Sequence, residues 1–397
     1  MPPKSLQRYK IIDMWRNELS LSTIGTIVWK FISNFARKLS KGIKSINHFM
    51  EKTQVKAYGA ESATAPLHEM NIYRRELRPQ DVEFEVLYCG ICHSDLHSVR
   101  NDWGNAVYPQ VPGHEIVGRV TRIGSEVEKF RIGDLAAVGC IVESCQCCQS
   151  CRKGEEQYCE QGVTFSFNSP NKVSGGMTYG GFSKRYVCED KYVLKMSDFK
   201  NLASAAPLLC AGITVYSPLK HWGAAAGKNV GILGIGGLGH LAVKIAKAMG
   251  AHVTVFTSSP SKIADAKRLG ADLAVLSADK EQMRACPKQD IILDTVSAEH
   301  NVNGYLNLLR VDGSLVIVGL PAEPLKVAAF NVVHGRRSLS GSNIGGIAET
   351  QEMLDFCFRH NITADCEVID IKYVNTALDR LAKGDVKYRF VIDMATL

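Results

Sequence analysis

With 397 residues the chain has room for two domains with well-developed cores, and 46% hydrophobic against 22% charged residues is the composition of an ordinary soluble globular protein. The formal charge of +7 raises the question of a nucleic-acid or membrane partner, but residues 1–52 hold ten Lys/Arg against three acids, which leaves 37 of each sign in the rest. The body is therefore neutral and shows no basic–aromatic recognition surface, which argues against nucleic-acid binding.

In the N-terminal arm, Ile24, Ile27, Val28, Phe31, Ile32, Phe35, Leu39, Ile43 and Ile46 recur at three- and four-residue steps, with Lys30, Arg37, Lys38, Lys41 and Lys44 mostly on other faces. The pattern predicts a basic amphipathic helix of the kind found on membrane surfaces and in organellar transit peptides. A helix packed on the protein's own surface and translation from Met50 are alternatives. It is not a secretory signal, because charges interrupt the apolar run. The expected location is cytoplasmic, with organellar or membrane association through residues 20–49 as the alternative.

Residues 54–200 are rich in Gly, Val and short strand-like runs such as "DVEFEVLYC" and "EIVGRVTRIG", which predicts a β-rich domain. Within it lie "GICHSD" (Gly90–Asp95) and "GHE" (Gly113–Glu115), and "LLCAGIT" (Leu208–Thr214) follows at a domain junction. A lone buried Cys or His is usually plain structure. Together, Cys92, His114 and Cys210 make the Cys2His set of a catalytic zinc whose fourth position stays open.

Cys145, Cys148, Cys151 and Cys159 form a C-x2-C-x2-C-x7-C run. This spacing closes a tetrahedral site for zinc, with bonds to sulfur of about 2.3 Å. A disulfide cluster is the bland alternative, disfavoured by an odd total of thirteen cysteines and no secretory signal. A closed four-cysteine site holds a fold and catalyses nothing. Cys147 is off the ligand spacing and is expected to stay free.

The stretch from Asn201 to Leu219 is uncharged for long enough to be weighed as a membrane span. Pro207, Gly212 and Pro218 make a buried, broken core segment the better reading. Next, "NVGILGIGGLG" (229–239) is a short apolar run leading into Gly234-x-Gly236-x-x-Gly239, with a helical pattern after it and a strand, "AHVTVF", from Ala251. A glycine-rich turn alone is weak; between strand and helix it marks a dinucleotide site, with pyrophosphate at the helix N-terminus. The strand-like runs 273–276, 290–296 and 314–320 continue the alternation of a doubly wound parallel sheet. An NAD site would place an acid at the end of the second strand. Here stand Thr257, Ser258, Ser259 and Lys262, which suit a 2′-phosphate, so NADP(H) is expected.

These motifs, with "YCGICHSDLH", "YPQVPGHEIVGRV", "PLLCAGITVYSPL", "GIGGLGH", "GSNIGGIAETQEMLDFC" and "GDVKYRFVID", resemble the zinc-dependent medium-chain dehydrogenase/reductase superfamily, in particular its cinnamyl-alcohol-dehydrogenase-like NADP-dependent aldehyde reductases. The match runs from about Val55 to the C-terminus and leaves residues 1–50 outside. The resemblance implies an α/β chain with a GroES-like β-rich catalytic domain (54–205 and 348–397), a Rossmann NADP-binding domain (206–347) and an extension at 1–53. It implies two zinc ions per chain. Cys92, His114 and Cys210 would hold the catalytic one, with Glu115 able to approach it, and the four-cysteine run the structural one. Asp95 would fix a ligand histidine's tautomer. Ser94 and His97 would relay the proton, and Trp103 would line a pocket for bulky or aromatic aldehydes. Thr214 would lie near the nicotinamide, and Gly237, Leu238, Val318, Ser342 and Ile344 would also bind the cofactor. The implied partners are a small aldehyde or alcohol and a second copy of the chain, joined through the edges of two nucleotide sheets. Competing readings are a polyol or secondary-alcohol dehydrogenase, a zinc-free quinone or enoyl reductase and, in another class, a non-catalytic zinc/NADPH sensor.

Overall fold

The computed structural model describes residues 52–397, so the helix, transit-peptide and membrane-contact readings of the N-terminal arm lie outside the described residues. Residues Gln54–Leu397 cluster as one unit containing two large sheets.

The first sheet is six-stranded and parallel, in spatial order Leu273–Leu276, His252–Thr257, Asn229–Leu233, Gln289–Asp294, Leu309–Ile317, Ser338–Gly341. Counted along the chain this is the 3-2-1-4-5-6 order of a doubly wound nucleotide fold, with the change of direction beside Asn229–Leu233. That strand pairs on both edges and is covered on both faces. Val230, Ile232 and Leu233 are accordingly all buried. The helix Gly239–Ala248 lays Leu241, Ala242, Val243, Ile245 and Ala246 onto the sheet. Burying a side chain such as Leu241 contributes about 2 kcal/mol.

The strands expected at 290–296 and 314–320 end earlier, at Asp294 and Ile317. Beyond these points the backbones leave the sheet. Thr295 Oγ1 donates to Leu233 O at 2.8 Å, and a Cβ on Gly319 would collide with Val296 O.

The second sheet runs Cys366–Asp370, Arg389–Asp393, Asp81–Ile91, Ile116–Ile123, Leu135–Val138, Leu194–Lys195, with Arg185–Glu189 also paired to Asp81–Ile91. Its central strand, Asp81–Ile91, is antiparallel to its neighbours, and the register sets Cys89 opposite Ile116 and Gly90 opposite Val391. Three loops therefore emerge together: Cys92 after one strand, His114 and Glu115 before the next, Arg389 at the start of a third. Gly90 is required by this crowding, since a Cβ there would collide with the Glu115 carboxylate.

Among the described residues no single helix is long and apolar enough to cross a membrane. The uncharged segment forms Leu202–Leu209 and Ala211–His221, bent by 57°. Leu208, Leu209, Ala211, Ile213 and Leu219 are buried in the core that joins the two sheets, as expected for a broken core segment.

Candidate active site

Cys92 caps the short helix His93–Val99, and Cys210 precedes Ala211–His221. Their Sγ atoms are 3.9 Å apart, and one ligand atom each from Cys92, His114, Glu115 and Cys210 lies within 4.8 Å of all the others. Sulfurs bonded at about 2.3 Å to a tetrahedral ion are separated by about 3.8 Å, so the spacing fits zinc and is far too long for a disulfide. Asp95, fully buried, accepts from Cys92 N at 2.8 Å and Gly113 N at 2.8 Å, and its Oδ1 is 3.1 Å from His114 Nδ1. That contact occupies Nδ1 and leaves Nε2 free to face an ion.

The electrostatics are strongly perturbed. Hydrogen bonds to Cys140 and Cys92 push the Cys210 thiol well up, while contact with Cys210 pulls Cys92 well down. Thiols packed this closely cannot all ionise without a cation between them. Burial lifts the Glu115 carboxyl to about 7, opposed by the buried guanidinium of Arg389, whose Nη2 donates to Glu115 Oε1. Glu115 Oε2 has no partner among the described residues.

Ser94 Oγ lies 3.8 Å from Cys92 Sγ. One turn on, the half-exposed His97 sits on the same helix face, with Nδ1 2.8 Å from Asp102 Oδ2. Asp102 was not singled out from sequence; its only signal was its place five residues after His97. Trp103 packs against His97 with ring centroids 5.5 Å apart and planes tilted by 40°, and it is 50% exposed, a rim rather than a buried wall.

Cys145, Cys148, Cys151 and Cys159 also converge within 4.8 Å, with Cys145 Sγ and Cys151 Sγ 3.8 Å apart. Backbone N–H groups of Cys148 and Cys151 point at Cys145 Sγ (3.3 Å) and Cys148 Sγ (3.5 Å). N–H groups of Cys147 and Cys148 pull the Cys145 thiol down to about 6, while burial pushes Cys151 up to about 12. All thirteen cysteines are unpaired, and Cys147 is the exposed one.

The glycine loop follows Asn229–Leu233. Gly234 has φ +89°, a Cβ on Gly239 would collide with Gly234 O, and a Cβ on Gly236 would meet open space where a pyrophosphate would lie. Gly237 instead packs on the Arg389 side chain, and Leu238 leads into the helix. At the end of the second strand Thr257 Oγ1 accepts from Ser259 N at 3.2 Å, Ser258 is exposed, and Lys262 Nζ donates to Ile235 O at 3.0 Å. The nearby acid, Asp265, is occupied by Lys387. At the other end of the cleft Thr214 Oγ1 is buried without a partner among the described residues, while Val318 and Ser342 follow the carboxyl ends of two strands and Ile344 has φ +33°.

Two residues escaped the sequence reading. Arg389 touches both Glu115 and Gly237, so it links the Cys92–His114–Cys210 cluster to the glycine loop. His240 is fully buried, with Nδ1 3.0 Å from Gly236 O, Nε2 accepting from Asp365 N at 3.3 Å and its ring stacked on Tyr388. Both lay in quoted motifs, but no spacing rule marks an Arg or His that acts across the fold.

A doubly wound nucleotide sheet facing a Cys2His cluster with an adjacent proton path defines a metal-dependent dehydrogenase. The family models agree. Residues 78–198 match the alcohol dehydrogenase GroES-like domain, and residues 237–359 match the zinc-binding dehydrogenase domain. Among curated relatives, the aldehyde reductase YahK of Escherichia coli is 53% identical over 87% of this chain and 99% of its own length. The NADP-dependent alcohol dehydrogenase C of Mycobacterium bovis is 52% identical over 86% of this chain and 99% of its own. The cinnamyl alcohol dehydrogenase SbCAD4 of Sorghum bicolor superposes with TM-score 0.83 at 46% identity, covering 86% of this chain and 98% of the other. The chain belongs to the zinc-binding alcohol dehydrogenase family and is an oxidoreductase of the medium-chain dehydrogenase/reductase type.

Proposed function

We propose that this enzyme reduces aldehydes to primary alcohols with NADPH, reversibly, in a cleft between a catalytic domain (54–205 and 348–397) and an NADP-binding domain (206–347). The observation that carries the reading is the convergence of Cys92, His114 and Cys210 beside an open glycine loop and the unpartnered Thr214 hydroxyl. Two zinc ions fit the donors present: Cys92, His114 and Cys210 hold the catalytic one, Cys145, Cys148, Cys151 and Cys159 the structural one. When bound, the catalytic zinc supplies Lewis acidity toward a carbonyl oxygen and NADPH supplies a hydride.

The chain's own residues do the rest. Asp95 locks His114 in one tautomer, and Glu115, held back by Arg389, is the carboxylate nearest the cluster. Ser94 gives its proton to the substrate oxygen, and His97 replaces it from solvent with Asp102 holding its Nδ1. Thr214, Val318, Ser342 and Ile344 frame the nicotinamide, while Ser258, Ser259 and Lys262 receive the 2′-phosphate and Trp103 rims the entrance. NADPH oxidation measured with benzaldehyde, cinnamaldehyde, aliphatic aldehydes and fructose tests this. Turnover confined to the sugar would replace the reading with a polyol dehydrogenase, and none with any carbonyl would favour a sensor.

A homodimer is part of the same proposal. Among the described residues Ser338–Gly341 is one of the two free edges of the nucleotide sheet, and Phe330 and Val333, just before it in the chain, are 72% and 73% exposed. Sedimentation of a monomer at micromolar concentration would remove that part. A cytoplasmic location agrees with unpaired cysteines throughout. Fractionation of full-length and arm-deleted protein separates it from organellar or membrane association through residues 20–49.

A further inference from the structure

The segment between the third and fourth cysteines of the four-cysteine lobe does more than close a loop. Glu156–Tyr158 forms a single 3-10 turn that ends directly at Cys159. Glu156 is only 8% exposed, yet no lysine or arginine is paired with it among the described residues. Its Oε2 accepts from Ile347 N at 3.0 Å, at the start of the helix Ile347–Arg359. That helix has no side-chain cap of its own, so the carboxylate caps it from across the fold and sits at its positive end.

Two residues on, Tyr158 OH accepts from Asn343 N at 3.2 Å. Gly346 approaches the lobe so closely that a Cβ there would collide with Gly154 O. Beside this junction a cavity of about 530 Å³, lined by Tyr158, Ser342, Lys220 and Glu349, leaves the neighbouring surfaces apart. The turn at 342–346 is thus gripped from the lobe at Asn343, Gly346 and Ile347, on either side of Ile344, which holds the unfavourable φ of +33°.

We propose that Glu156 and Tyr158 are positioning residues for the nicotinamide end of the cofactor, so that the four-cysteine lobe sets the geometry of hydride transfer as well as stabilising the fold. The inference rests on the proposed placement of Ser342 and Ile344 against the nicotinamide. Cys151 and Cys159, as ligands of a structural metal, would anchor both ends of the turn between them, and the turn fixes the backbone on which those two side chains are carried. Adenine and the 2′-phosphate bind at the far end of the cleft and are untouched by this contact.

The test compares Glu156→Ala, Glu156→Gln and Tyr158→Phe in the metal-replete, full-length enzyme. Glu156→Gln keeps an oxygen acceptor for Ile347 N, whereas Glu156→Ala removes it. Glu156→Ala should lower kcat about tenfold and raise the deuterium isotope effect with 4-deuterated NADPH, because a small misplacement of reacting atoms is costly. Glu156→Gln should recover most of the rate, and Tyr158→Phe should lose about two- to threefold. In all three, metal content should match the parent, and the affinity for 2′-phospho-ADP-ribose, which lacks the nicotinamide, should stay within about twofold.

Unchanged kcat in Glu156→Ala, equal losses in the Ala and Gln variants, or a parallel loss of the fragment's affinity or of metal would overturn the proposal. Should Glu156→Ala fail to fold, Tyr158→Phe, altered at a half-exposed position, decides the matter by the same readouts. Failure of the parent enzyme to bind 2′-phospho-ADP-ribose would instead refute the cofactor reading beneath it.

Discussion

The two thiol clusters are assembled by opposite means. Cys145, Cys148, Cys151 and Cys159 come from one loop, and short-range N–H···S contacts pre-shape it. Cys92 and Cys210 stand 118 residues apart and meet only because three strands emerge side by side and a core helix begins against them. A locally closed site can saturate its metal and so serve as a fixed strut. One built from several elements can leave a coordination position open, because no single loop surrounds it. The buried salt bridge between Arg389 and Glu115 belongs to the second kind and ties it to the phosphate loop.

Four substitutions test that contrast, in decreasing order of expected loss. Cys210→Ala should reduce turnover at least about a thousandfold, the scale of several kcal/mol of lost charge stabilisation, while NADPH titration by fluorescence still gives near-parental affinity. Near-normal activity would show that the scattered cluster is not the reacting one. Cys151→Ser should act first on the fold, costing about 3 kcal/mol or more with one metal equivalent lost, as measured by urea melting and metal analysis. A fully active, normally stable Cys151→Ser protein would end the idea of a strut.

His240 gives the cofactor side a pH dependence of its own. Burial first, with Lys244 adding to it and Gly236 O and Asp365 opposing, holds the imidazole down to about 3, against about 6.5 in an unfolded chain. Below about pH 6.5 the unfolded chain binds a proton that the folded one refuses, so stability is full above that pH and falls as the pH drops toward 3. The loss should reach about 3 kcal/mol near pH 4, and melting of His240→Asn should show a flatter profile over the same window. An unchanged slope would mean that the imidazole is not held neutral. The smallest effect is expected from Ser259→Asp. A carboxylate facing the 2′-phosphate should shift the ratio of kcat/KM for NADPH over NADH about tenfold toward NADH.

Much of this was legible from the sequence. The glycine loop was readable because its requirements are local: a positive φ at Gly234, close packing at Gly239 and open space at Gly236 belong to one turn. Strand ends were less so. The apolar runs through Val296 and Leu320 overshoot, since hydrophobicity continues past the point where Thr295 and Gly319 leave the sheet. The resemblance implies pocket lining for Trp103, and the structure makes it an exposed rim with its ring tilted against His97.

The two candidate ligand sets, the glycine loop and the polar turn after the second strand can be read from the chain alone, because each depends on residue types at short spacing or in an ordered series of motifs. Folding alone brings Asp102 to His97, lets Arg389 and His240 bridge the glycine loop to the second sheet and its flanking segments, and sets Glu156 at the start of a helix 191 residues further along the chain. These are single long-range contacts, and a hydrogen bond or ion pair formed across folded layers leaves no periodicity or spacing for a sequence to display.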